Sequence, residues 1–192
     1  MNLALFDFDG TLTTKDSLGE FIRYVVGTPK YILGMIQFSP LYIAYRIKLL
    51  RNDIAKEKLF EQFFKDYNET EFKTIAKKYS MQEIDLILRK PIYEKFLQHI
   101  ENGDRVIIVS ASMRCWLEDW AKKHNVELLS TQLEFKNKKV TGKFFTKNCH
   151  GEEKVNRIKK HLLLDDYDTI YAYGDSSGDD AMLKIAHHKT RV

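Results

Sequence analysis

The sequence predicts an α/β fold: a doubly wound (Rossmann-like) parallel sheet with an inserted helical cap domain and a small β-hairpin. Residues 3–8, 105–109 and 169–173 form short apolar runs, a pattern typical of buried parallel strands. A helical pattern follows each run, and such alternation is typical of a doubly wound sheet. Ligands of these sheets bind beyond the carboxyl ends of the strands, so the residues after each run are the candidate functional residues.

The segment between the first two strands is too long for an ordinary connection from a strand to a helix. Its residue pattern is almost wholly helical, and this favours a separate unit. We predict an α/β core domain of residues 1–13 and 91–192, and a helical cap domain of residues 14–90. Breaks between the cap helices are predicted near Gly27, Pro40, Asn52 and Pro91.

Local signals predict where several elements begin. Ser17 and Ser80 each lie three residues before a Glu, and this capping-box pattern predicts a helix start at both. Two β-like runs, residues 133–135 and 140–145, flank a short polar segment. They predict the β-hairpin.

Composition limits the classes of partner. The chain has 192 residues and a net charge of +4, and its basic and acidic residues are interspersed. This distribution favours a small anionic substrate or a solvated surface. Because no basic block is present, we predict no nucleic-acid partner. Only Cys115 and Cys149 are present, too few for a disulfide framework. The N-terminus lacks the pattern of a signal peptide, so we predict a cytoplasmic chain.

Acidic residues follow two of the predicted strands. Asp7 and Asp9, in the segment DFDGT, are two residues apart and therefore point to one side of the sheet edge. Asp175 and Asp179 follow the third run. Each segment taken alone is more often a turn or a helix cap. If the four carboxylates converge, their repulsion requires a hard divalent cation, and Mg²⁺ is the natural choice beside phosphate.

The chain resembles the haloacid dehalogenase (HAD) superfamily, and within it the branch related to phosphoserine phosphatase, subfamily IB. The resemblance covers nearly the whole chain. The segments that carry it are residues 7–11 (DFDGT), Ser110 after residues 106–109 (VIIV), Lys154 in residues 149–154 (CHGEEK), and residues 174–179 (GDSSGD).

This resemblance implies a Mg²⁺-dependent phosphatase that hydrolyses a phosphate monoester. Asp7 would be the nucleophile that forms an aspartyl-phosphate, and Asp9 the general acid and base. Ser110 and Lys154 would hold and neutralise the phosphoryl group. The implied phosphate- and substrate-binding residues are Gly10, Thr11, Asp16, Ser110, Ala111 and Lys154. The implied Mg²⁺ ligands are the Asp7 side chain, the Asp9 backbone carbonyl, Asp175 and Asp179.

The substrate is expected to be a small metabolite or a lipid phosphate. Phosphoserine is not favoured, because Asp16 stands where phosphoserine phosphatases carry a longer Glu. Residues 31–50 are the most apolar stretch, but Pro40, Arg46 and Lys48 interrupt it and argue against a membrane span. The stretch resembles the cap of phosphatidylglycerophosphatase-like members. One hypothesis is a peripheral membrane contact through residues 31–50; the other is packing among cap helices or on the core.

Two other functions remain open. A phosphotransferase would use the same Asp7 intermediate but pass the phosphoryl group to an alcohol, and the sequence does not separate it from a hydrolase. A non-catalytic binding protein on the HAD fold is less favoured, because such a protein has no reason to retain Asp9.

Overall fold

A computed structural model describes residues 1–192. Its strands are β1 (Leu3–Phe6), β2 (Arg105–Met113), β3 (Glu127–Thr131), β4 (Leu133–Lys136), β5 (Lys139–Phe144), β6 (Ile170–Gly174) and β7 (His188–Arg191). Five of them form one parallel sheet in the order β3-β2-β1-β6-β7. The predicted doubly wound sheet is therefore confirmed, and the carboxyl ends of β1, β2 and β6 lie side by side.

All eight helices lie between strands along the chain. They are α1 (Ser17–Val26), α2 (Thr28–Arg46), α3 (Asn52–Phe64), α4 (Glu69–Gln82), α5 (Lys90–Glu101), α6 (Arg114–Lys123), α7 (Glu152–His161) and α8 (Asp180–Lys184). None of the helices has the combined length and apolarity needed to cross a membrane.

The sheet is buried on both faces. In β1, Ala4 and Phe6 belong to one hydrophobic layer, while Leu3 and Leu5 belong to the layer on the opposite face. Both sets of side chains are fully buried. Burial on two faces explains why the strand appears in the sequence as a continuous apolar run.

The helices α1 to α4 connect to the sheet through two neighbouring segments. The Thr14 amide donates to the Ile87 carbonyl at 2.8 Å, and the Arg89 amide donates to the Leu12 carbonyl at 2.7 Å. Phe21 of α1 stacks on Trp116 of α6 with ring centroids 4.6 Å apart, inside one shared hydrophobic layer. The helical segment thus packs directly on the core. The domain boundaries predicted from the sequence stay a prediction.

The predicted β-hairpin is confirmed. β4 and β5 pair in antiparallel fashion, and the turn residues Asn137 and Lys138 have φ of 51° and 57°. Two positive φ values in a two-residue connection match the twist of a hairpin. The Glu57 carboxylate of α3 accepts from the Phe144 amide at 2.9 Å, so the hairpin supports the helical segment.

The predicted break at Pro40 is wrong, because α2 continues through it. A proline has no amide proton for the carbonyl four residues earlier, here that of Ile36. The Ser39 hydroxyl donates to this carbonyl at 2.7 Å and replaces the missing bond.

The helix start predicted at Ser17 is confirmed, because α1 begins there, but neither predicted capping box forms. α1 is capped by Asp16, whose carboxylate accepts from the amides of Leu18 and Gly19 at 2.9 and 3.2 Å. Ser80 lies in the last turn of α4 and does not begin a helix. Its hydroxyl oxygen accepts from the Trp120 amide at 2.9 Å, a tertiary contact that joins α4 to α6.

Candidate active site

The Asp7 carboxylate lies directly beyond β1 and is buried. Its Oδ1 accepts from the Lys154 ammonium at 2.5 Å, and its Oδ2 accepts from the Thr11 hydroxyl at 3.1 Å. Both oxygens are therefore fixed in position. This is the arrangement that a preorganised nucleophile needs.

The Lys154 ammonium has three acceptors. Besides Asp7 it donates to Asp179 Oδ1 at 2.6 Å and to the Val109 carbonyl at 2.7 Å. Burial opposes its charge, but the nearby Asp7 and Asp179 carboxylates outweigh burial and raise the pKa of Lys154. The side chain is a permanent buried cation at the carboxyl edge of the sheet.

Three carboxylates converge around this cation. Oxygens of Asp7, Asp175 and Asp179 all lie within 4.8 Å of one another. Burial, and then neighbouring carboxylates, raise the pKa of Asp7 and of Asp175, although Lys154 partly opposes the shift at Asp7. Burial acts in the same direction at Asp179, but Lys154 holds the pKa of that carboxyl below its ordinary value. One lysine thus leaves negative charge uncompensated.

This donor set fits Mg²⁺. The three groups offer only carboxylate oxygens, which Mg²⁺ prefers. The three ligand oxygens all lie within 4.8 Å of one another, so they are close enough together to share one ion. The Asp9 carbonyl as a further ligand stays a prediction.

The loop after Asp7 is shaped by Gly10. This residue has φ of 79°, and a Cβ built on it would lie 2.3 Å from Asp175 Oδ2. Only glycine permits both the backbone conformation and the close approach. The Arg89 guanidinium donates to the Gly10 carbonyl at 2.9 Å and helps to fix the loop.

The Asp9 carboxylate is held apart from the triad. Its Oδ1 accepts from the Ser17 amide at 2.7 Å, and its Oδ2 accepts from the Ser112 hydroxyl. Burial and then the charge of Asp16 raise the pKa of Asp9 to about 7, against the opposing effect of both hydrogen bonds. A carboxyl that changes protonation near neutral pH suits general acid and base catalysis.

Ser110 lies within β2, where the regular pairing with β3 is interrupted, and it follows Val109, whose carbonyl binds Lys154. Its hydroxyl oxygen accepts from the Ser112 amide at 3.0 Å, so the hydroxyl proton remains available for a ligand. Ala111 follows Ser110 and is half-buried. The structure thus places the predicted residues Asp7, Asp9, Gly10, Thr11, Ser110, Ala111, Lys154, Asp175 and Asp179 at one edge of the sheet.

Asp16 lies at the border of this group, on a neighbouring cavity. The cavity has a volume of about 540 Å³ and lies among α1, α2 and α3. Most of its lining is apolar, and Ile22, Phe38 and Leu59 contribute to it. Arg46 and Lys56 supply positive charge.

Sequence reasoning missed three residues that position the site. The Ser112 hydroxyl and the Ser17 backbone amide donate to the Asp9 carboxylate, and the Arg89 guanidinium donates to the Gly10 carbonyl. Ser112 carried a detectable signal, because it lies two residues after Ser110 in a predicted strand and so faces the same side. Ser17 and Arg89 carried none.

Comparisons with known proteins agree with this geometry. The family model described as haloacid dehalogenase-like hydrolase matches residues 4–184. Protein CicA from Caulobacter vibrioides is 31% identical over 189 residues, which cover 97% of this chain and 84% of CicA.

Two solved structures share the fold. A protein of unknown function from Bordetella pertussis Tohama I has a TM-score of 0.82 at 22% identity, over 99% of this chain and 89% of its own. A phospho-aspartyl intermediate analogue of phosphoserine phosphatase has a TM-score of 0.62 at 22% identity, over 98% of this chain and 85% of its own. Because the family model matches nearly the whole sequence, the chain belongs to the haloacid dehalogenase-like hydrolases.

Proposed function

We propose that the protein is a Mg²⁺-dependent phosphatase that hydrolyses a phosphate monoester through an aspartyl-phosphate on Asp7. The observation that carries the proposal is the pairing of two differently tuned carboxyl groups. Asp7 is buried and fixed by Lys154 and Thr11, while Asp9 has a pKa of about 7. One group is suited to attack and the other to proton transfer.

In the first step a carboxylate oxygen of Asp7 attacks phosphorus, and the bond between phosphorus and the ester oxygen breaks. Protonated Asp9 gives its proton to the departing oxygen. In the second step water attacks the phosphorus of the aspartyl-phosphate, Asp9 accepts a proton from that water, and the bond to Asp7 breaks to release phosphate. The Asp7 carboxylate is thereby restored.

Lys154 and Ser110 serve both steps by holding phosphoryl oxygens. Their positions at the sheet edge supply fixed charge and a fixed hydroxyl, and electrostatic positioning is the main contribution in phosphoryl transfer. When bound, Mg²⁺ supplies further positive charge to the phosphoryl oxygens.

The cavity beside Asp16 supports a substrate whose alcohol carries an apolar group. Its apolar lining would remain hydrated beneath a small polar alcohol, whereas an apolar group would displace that water. Arg46 and Lys56 can neutralise a second acidic group on the substrate. Among the two predicted classes, these features favour a lipid phosphate over a small polar metabolite.

The test is phosphate release from phosphoserine, sugar phosphates and phosphatidylglycerophosphate, with Mg²⁺ and with EDTA. We expect release only with Mg²⁺, and most rapidly from the ester with the apolar alcohol. Full turnover in EDTA contradicts the metal requirement. Adding acceptor alcohols separates the phosphotransferase, which would yield new phosphate esters in place of free phosphate.

The variant Asp16→Asn is expected to shift the alkaline limb of kcat/KM to lower pH by about 0.5 to 1 unit. The negative charge of Asp16 raises the pKa of Asp9, so its removal lowers that pKa and reduces the protonated acid at neutral pH. Asn also caps helices well, so α1 is preserved. The measurement is the pH profile of kcat/KM for Asp16→Asn and for the control Asp166→Asn, which changes an exposed residue. An alkaline limb that does not move in Asp16→Asn contradicts the effect of Asp16 on the pKa of Asp9.

The variant Asp175→Asn is expected to raise the Mg²⁺ concentration for half-maximal activity by at least about tenfold. Asn offers a neutral oxygen where the triad offers a carboxylate. Because burial raises the pKa of Asp175, a neutral side chain is compatible with the folded state. The increase in Tm caused by Mg²⁺ should also shrink. The control variant Asp180→Asn changes a carboxylate outside the triad, so it should retain the wild-type increase in Tm with Mg²⁺. An equal loss of this increase in both variants contradicts the assignment of Asp175 as a Mg²⁺ ligand.

A further inference from the structure

One face of α2 is apolar and exposed. Ile32, Ile36, Ile43 and the adjoining Ile47 are each 52% to 63% exposed. Their spacing places them in one stripe along the helix. Leu33, beside this stripe, is 58% exposed. Exposed apolar residues in a continuous stripe mark an interaction surface more often than isolated ones do.

The other side of α2 contacts the rest of the chain. Tyr31, Phe38 and Tyr45 line the cavity beside Asp16. Gly34 is buried, and its carbonyl accepts from the Gln62 side chain of α3 at 2.6 Å. The helix is therefore apolar on two sides, but the protein covers only one of them.

The charged residues in the segment that carries the stripe all have one sign. Residues 28–51 contain no Asp or Glu, and their charged residues are Lys30, Arg46, Lys48 and Arg51. All four of these basic residues are exposed at the surface. Arg51 pairs with the Asp53 carboxylate, and the other three cations lie in the same segment as the apolar stripe. This combination is complementary to the headgroups and acyl chains of an anionic lipid surface.

We propose that the outer face of α2, residues Ile32, Leu33, Ile36, Ile43 and Ile47, docks the protein on anionic membranes. The helix lies in the interface with the isoleucine stripe towards the acyl chains and with Lys30 and Lys48, which do not line the cavity, at the headgroups. The docking itself does not depend on catalysis. If the proposed phosphatase activity also holds, the same helix carries the membrane contact on one side and the substrate cavity on the other.

The experiment is sedimentation with vesicles of phosphatidylglycerol and phosphatidylcholine in equal parts, and with vesicles of phosphatidylcholine alone. Wild type should bind the mixed vesicles, and added salt should weaken that binding. The double variant Ile36→Asp, Ile43→Asp should lower the partition coefficient by at least about tenfold, because each change places a charge in the stripe that would enter the acyl-chain region.

The matched control is Leu86→Asp with Leu163→Asp. Both leucines lie outside α2 and are 76% and 69% exposed, and the control adds the same negative charge. The control should retain most of the vesicle binding. This result would show that the loss in the stripe variant comes from the position of the new charges and not from the change in net charge. Thermal unfolding of each variant checks that it is folded.

The proposal would be overturned if wild type did not bind mixed vesicles, or if both double variants lost vesicle binding equally. It would also be overturned if wild type bound no vesicles but self-associated, and this self-association disappeared in Ile36→Asp, Ile43→Asp. The last result would assign the face to a second copy of this chain. Hydrolysis of a water-soluble ester is measured in parallel. It should be unchanged in the stripe variant, since neither isoleucine lines the cavity, so failure of docking and failure of the phosphatase assignment are distinguishable.

Discussion

Asp7→Asn is expected to lower phosphate release by at least about a thousandfold, because an amide oxygen is far too weak a nucleophile to form the acyl-phosphate. The change preserves the shape of the side chain and leaves Lys154 its bond to Asp179. Release is measured under saturating Mg²⁺ with the best ester found for wild type.

The stability of Asp7→Asn serves as its control. Burial raises the pKa of Asp7 above its unfolded value, so the charged form costs stability as pH rises through the folded pKa. A neutral Asn avoids this cost, and its free energy of unfolding at neutral pH should be equal to or above that of wild type within about 1 kcal/mol. A folded variant that keeps a tenth or more of the activity would contradict the assignment of Asp7 as the nucleophile.

Lys154→Met is expected to lose both activity and stability. Removing the ammonium leaves buried Asp7 and Asp179 without their cation, and breaking a buried pair in this way costs about 3 to 5 kcal/mol. Loss of the fixed positive charge should lower turnover by about 10² to 10³. The stability measurement is urea unfolding in EDTA, because bound Mg²⁺ would replace part of the lost charge.

The pH dependence of Lys154→Met gives the sign of the effect. Without the lysine, the folded-state pKa of Asp7 rises further, and burial raises that of Asp179 above its unfolded value. Stability is then lost as pH rises through the folded pKa values, so the deficit should be larger near about pH 7.5 than near about pH 5. The exposed Lys160→Met on the same helix controls for loss of a lysine. A deficit that grows on acidification would contradict the electrostatic explanation.

The main features of the site could be predicted from sequence because they depend on short-range patterns. Asp7, Ser110 and Asp175 each follow a run of buried strand residues. Parallel strands in one sheet bring their carboxyl ends to the same edge, so side chains far apart in the chain converge without further information. In the observed strand order β1 lies between β2 and β6, so the carboxyl ends of these three strands are next to one another.

Contacts between residues far apart in the sequence could not be predicted in detail. Ser112 and Asp9 are 103 residues apart in sequence, and no local pattern links them. Arg89 reaches Gly10 across 79 residues for the same reason. At Ser80 the local capping pattern was overridden by a tertiary bond to Trp120. At Pro40 the rule that a proline ends a helix failed, because the Ser39 hydroxyl replaces the missing hydrogen bond to the Ile36 carbonyl.

The measurement that tests the central proposal most directly is chemical trapping of the intermediate. Wild type is mixed with a radiolabelled phosphate monoester and Mg²⁺, quenched in acid during turnover, and digested to peptides. We expect label on the peptide that contains Asp7, stable in acid and released by hydroxylamine, as an acyl-phosphate requires. Continued phosphate release with no label at Asp7, or with label on another residue, would contradict the aspartyl-phosphate mechanism.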